Sequence, residues 1–88
     1  MKIHELKTHA APFNAVWSGA KGYEIRKSDR DFKVGDILWL RDFAPLLEVY
    51  GERSMLAEVT HLTPGGEWGL PPDLCVMSIL VLDRRPRP

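Results

Sequence analysis

Positions 74–82 read "LCVMSILVL", nine residues with one polar side chain among them. An apolar run of this kind, bounded by Asp73 and Asp83, has the pattern of a central strand covered on both faces. The chain has only 88 residues with which to cover it. A domain of that size hides about 60–65% of the surface its unfolded chain exposes, so a single core must form around this strand.

The remaining segments supply what such a core needs. "IHELKT" alternates as a short first strand ending near Thr8. "APFNAVWSG" has helical spacing: Phe13, Val16 and Trp17 share one face, Pro12 suits the first turn, and Gly19 fits the left-handed C-terminal cap. "GYEIRK" alternates as a half-buried strand, with Tyr23 and Ile25 on one face and Glu24 and Arg26 on the other. "SDRDFKVGD" carries turn chemistry, with Phe32 and Val34 pinning it to the core and Gly35 taking backbone angles that other residues avoid. "ILWLRDF" is an apolar strand, "APLLEVYGER" with Gly51 a hairpin connection, and "SMLAEVTHL" a strand with Met55, Ala57 and Val59 inward. "TPGGEWGLPPD" is a loop by its Pro and Gly content.

These segments predict an α+β, mainly β domain over residues 1–83: a small barrel of five to six strands with one helix beside it. Residues 84–88, which hold Arg84, Arg85 and Arg87 with two prolines, read as a flexible basic tail. Nothing approaches the roughly 20 apolar residues that cross a bilayer, and the first ten residues lack the apolar run of a signal peptide. Cys75 is the only cysteine, the usage of a reducing compartment. The expectation is a cytoplasmic protein, monomer or weak homodimer, with no membrane partner. Twelve basic and twelve acidic side chains give a net charge of zero, which argues against a general polyanion binder but leaves room for a local basic patch.

Candidate chemical motifs are few. His4 and His9 are five apart, so on a helix they diverge by about 140° and on a strand they face opposite ways. Neither they, His61 nor Cys75 forms a metal-ligand pattern, and no metal or cofactor is expected. "PGGEWG" lacks the Lys-Ser/Thr ending of a phosphate loop, yet Trp68 within it would offer a stacking platform if exposed. Trp17 and Trp39 lie on apolar faces and are expected in the core. Cys75, inside an apolar strand, is an inert thiol.

Residues 19–36, "GAKGYEIRKSDRDFKVGD", concentrate Lys21, Arg26, Lys27, Arg30 and Lys33 against Glu24, Asp29 and Asp31. Glu24 and Arg26 share one strand face about 7 Å apart. If that face meets solvent, they form a surface ion pair worth little. If it meets the cleft between helix and barrel, an ammonium, a carboxylate and a guanidinium converge on one small volume.

This stretch resembles the ASCH (activating signal cointegrator homology) domain, a relative of the PUA RNA-binding fold. The resemblance rests on Gly19, Lys21, Glu24, Arg26, Gly35 and Asp36, which are similar to that family's pattern of Gly-x-Lys-x-x-Glu-x-Arg followed by a Gly-Asp turn into a strand. "HELKT", "YGER" and the closing apolar strand are similar to the small prokaryotic and phage members. The resemblance implies a PUA-like barrel and an RNA- or modified-nucleotide-binding module. Lys21 and Arg26 would contact phosphate or carbonyl oxygens, Glu24 would accept from an exocyclic amine, and Tyr23 or Trp68 would stack. Lys27, Arg30 and Lys33 would add sequence-independent attraction. Some small ASCH proteins are amidohydrolases on N4-acylated cytidine, using a lysine, a threonine and a glutamate. Lys21 matches that lysine, but Glu24 stands where the threonine would be, and Glu58 and Glu67 are the candidates for the acid. In an enzyme, Lys21 and Glu24 would be the catalytic pair.

Overall fold

The computed structural model describes residues 1–87. Its elements run β1 (Ile3–Thr8), α1 (Ala10–Trp17), β2 (Tyr23–Lys27), β3 (Ile37–Ala44), β4 (Val49–Thr63) and β5 (Leu74–Arg85). The five strands form one mixed sheet in the order β1-β3-β4-β5-β2, parallel between β1 and β3 and antiparallel elsewhere. The chain is therefore a mainly β half-barrel with one short helix, and its two free edges, β1 and β2, flank a seam.

The core lies on one face of the curled sheet. Leu6, Leu38, Leu40, Met55, Val59, Cys75 and Met77 alternate inward, and α1 closes over them with Phe13 and Val16. The Phe13 and Trp17 rings stack 5.8 Å apart along the helix. Burying a side chain such as Leu38 or Met55 is worth about 1.5–3 kcal/mol, so this cluster dominates the favourable side of folding.

The buried polar groups in this core are paired. His4 Nε2 and Asp36 Oδ2 lie 2.8 Å apart, and Asp36 also accepts the backbone N–H groups of Lys2 and Lys33, each at 3.0 Å. The His4 hydrogen bond, reinforced by those two amides, outweighs burial and holds the Asp36 carboxyl at about 2 against an ordinary 3.8. Phe32 caps the pair, its ring 4.7 Å from that of His4.

Several expectations need correction. β5 lies between β4 and β2 but is covered on one face only: Cys75 and Met77 are buried, whereas Leu80 and Leu82 are exposed. Arg84 and Arg85 belong to β5, in register with Met55 and Ser54, because β4 is long enough to pair them; position 88 lies outside the described residues. The hairpin turn is at 45–48, with Glu48 at φ 53°, and Gly51 lies within β4 beneath the Asp42 side chain. Trp39 alternates out of the core and lies under the Arg41 guanidinium, 4.8 Å from its ring. Val34 is exposed, leaving Phe32 as the apolar anchor of the 28–36 turn.

Candidate functional site

The site begins at the end of α1. Gly19, at φ 86°, turns the chain in the left-handed region, and its N–H donates to the Val16 carbonyl at 3.1 Å. The Lys21 N–H then donates to the Ala15 carbonyl at 3.0 Å, so the backbone of Lys21 is fastened to the last helical turn. Two residues later β2 starts, paired with β5 by Tyr23↔Ser78 through Lys27↔Leu74.

Alternation along β2 follows the expected period. Tyr23 and Ile25 are 44% and 49% exposed, while Glu24 is 2% exposed. The inward face is the charged one. A lone buried carboxylate would be far too costly, and the structure compensates it on both oxygens. Lys21 Nζ donates to Glu24 Oε1 at 3.1 Å, and Arg26 Nε donates to Oε2 at 2.9 Å.

Arg26 does more than neutralise Glu24. One Nη donates to the Lys7 carbonyl at 3.0 Å and the other to the Thr8 hydroxyl at 2.9 Å. Arg30 likewise donates to the Glu5 carbonyl at 2.9 Å. β1 is an edge strand with outward carbonyls at alternate positions, so these two guanidinium groups staple the seam where a further strand would pair.

The cleft above Glu24 encloses about 330 Å³ and is walled by β1 and the start of α1 on one side and by Lys21, Tyr23 and Arg26 on the other. The Lys21 ammonium also lies 4.9 Å from the Tyr23 ring centroid. Lys21, Tyr23, Glu24 and Arg26 are thus brought together. Lys27 and Arg30 line a neighbouring hollow with Leu6 and Phe32. Trp68 is elsewhere: 94% exposed, it lines a shallow apolar hollow with Leu70, Pro71 and Val76 that shares no residue with the cleft. Glu67 borders that same hollow, and Glu58 pairs with Ile37 and Leu80 in the sheet, so neither acid reaches the cleft.

Thr8, His9 and the Lys7 carbonyl escaped the sequence reading. Thr8 is 2% exposed at the cleft wall, and its hydroxyl donates to the Leu6 carbonyl at 3.3 Å while accepting from Arg26. The signal for it was its place as the last inward position of "IHELKT", but only the approach of β2 across the seam gives it a partner.

A family model described as a domain of unknown function, DUF3850, matches residues 3–79. The chain belongs to the DUF3850 family. The match takes in β1, α1 and the whole Lys21–Glu24–Arg26 site. A curated relative, the uncharacterized 12.9 kDa protein in the GpA 3′ region of Escherichia phage P2, is 39% identical over 67 residues. That alignment covers 76% of this DUF3850 chain and 60% of the phage protein.

Proposed function

We propose that the chain is an RNA- or nucleotide-binding module of ASCH/PUA-like type, in which the cleft between α1 and β2 receives one nucleotide unit. The observation that carries this reading is Glu24, buried at the cleft floor and clamped between Lys21 and Arg26. Replacing a buried ion network by apolar side chains is often neutral or stabilising, so its presence at a cleft wall has its rationale in what the cleft contacts. Glu24 takes one N–H of the Lys21 ammonium, leaving two to meet an anionic or carbonyl oxygen. A volume of about 330 Å³ suits a base with part of its sugar. Tyr23 stands at the rim for stacking. The motif resemblance at residues 19–36 supports the same assignment. Binding of 5′-nucleotides and short RNA over a salt series tests it: Lys21→Ala should weaken binding at least tenfold. No binding at low salt, or binding indifferent to Lys21→Ala, would overturn it.

A second reading, an amidohydrolase acting on an N4-acylated cytidine, draws support from the Thr8 hydroxyl at the cleft wall. Against it, the Thr8 proton is committed to the Leu6 carbonyl, and Glu58 and Glu67 stand outside the cleft. Incubation with N4-acetylcytidine decides: release of cytidine that Thr8→Val abolishes would establish the hydrolase, and no release from folded protein removes it.

A further inference from the structure

We propose that the occupant is a single-stranded nucleic-acid segment of about three nucleotides, lying in a trough of which the Glu24 cleft is the middle part. This rests on the nucleotide-binding reading above and names the ligand's form. Three hollows are linked in sequence by shared lining residues. A groove of about 450 Å³ shares Lys7 and Arg26 with the cleft, and a hollow of about 230 Å³ at the end of α1 shares Lys21 with it.

Cations occur in all three. Arg30 and Arg26 line the first part, Lys21 stands at the second junction, and Arg84 lies in the third. Arg84 is positioned by a bond from its Nε to the Trp17 carbonyl at 2.9 Å. Lys7 lines the first two hollows, with its ammonium 4.8 Å from the Phe43 ring centroid. Two carboxylates line the linked hollows, and both are already bonded: Glu5 to Arg41 at 2.7 Å and Glu24 to Lys21 and Arg26. Five cationic side chains, Lys7, Lys21, Arg26, Arg30 and Arg84, against two carboxylates leave an excess of three positive charges on the linked hollows, in a chain whose net charge is zero. That is the footprint of a linear polyanion.

The aromatic rims select the single strand. Tyr50 borders the first part, backed by the Arg41 guanidinium 3.7 Å from its ring centroid, and Tyr23 borders the second. Such rings stack splayed bases, whose faces a duplex keeps hidden.

The test is binding of 5′-phosphorylated oligonucleotides of one to six residues, single-stranded and duplex, at several salt concentrations. Affinity should rise about tenfold or more from one residue to three and little beyond. The slope of log K against log salt should approach about −2 for the trimer, near −0.7 per phosphate, and stay shallower than about −1 for the monomer. Arg84→Gln should weaken the trimer several-fold and leave the monomer unchanged. If Arg84→Gln fails to fold, the wild-type salt slopes still decide. Equal affinity and slope for monomer and trimer would overturn the trough while leaving the one-nucleotide cleft standing. Equal binding of duplex, or a rise continuing to six residues, would also overturn it. No binding at any length would overturn both readings.

Discussion

Glu24 is buried and depends on the two cations that hold its carboxylate oxygens. Glu24→Gln keeps the shape but leaves the Lys21 ammonium and the Arg26 guanidinium facing a neutral amide at partly buried positions. Removing one partner of a buried pair costs about 3–5 kcal/mol, and the partial exposure of both cations places this case nearer 2–3. A domain of this size shifts its midpoint by about 4–8 °C per kcal/mol, so thermal unfolding of Glu24→Gln should come at least 8 °C early. Asp36 sets a pH dependence of its own. Its carboxyl is depressed from 3.8 to about 2, so its stabilising contribution is complete above about pH 4–5 and disappears as the pH falls through 2. Urea midpoints should drop between about pH 4 and pH 2, and Asp36→Asn should be destabilised at pH 7 with a flatter acid limb.

Two glycines separate soft from hard packing at the level of elements. A β-carbon on Gly51 in β4 would lie 2.9 Å from Asp42 Oδ2, the end of a side chain that can swing away. On Gly65 it would run into the Pro72 and Leu74 carbonyls, backbone atoms that cannot swing aside as a side chain can. Gly65→Ala should therefore cost at least about 2 kcal/mol by urea unfolding and Gly51→Ala less than about 1. The seam gives another prediction at this scale. Arg26→Lys keeps the charge but cannot hold Glu24, Thr8 and the Lys7 carbonyl together. Amide exchange should quicken in β1 and β2 while the paired amides of β3 and β4 keep their protection.

The whole molecule is assembled from distant partners. β1 and β3 pair across Ile3↔Ile37, and β2 and β5 across Tyr23↔Ser78. Loop closure must precede the contacts that reward it, so folding should fall in the millisecond-to-second range of non-local β topologies. Stopped-flow refolding in the microsecond range would contradict this topology. The same connectivity creates the cleft, because it brings the two sheet edges, β1 and β2, near each other without pairing them.

Local physics in the sequence determined much of this protein. Helical spacing and Gly19 defined α1, alternation defined β1 and β2, and inward Met55, Ala57 and Val59 defined the core face of β4. Each of these depends on neighbours within a turn or a strand. Alternation specifies two faces without saying which is inward, and "YEIRK" left open whether Glu24 and Arg26 meet solvent or the cleft. Only the tertiary structure could decide it, because burying Glu24 becomes affordable once Arg26 is braced by Thr8 and the Lys7 carbonyl, eighteen and nineteen positions away. The same holds for Arg84: beside prolines it looked like a frayed end, and a long β4 together with the Trp17 carbonyl made it part of the sheet. The loop left open whether Trp68 is exposed, and both its exposure and its distance from the cleft are properties of how the strands curl, which no local pattern records.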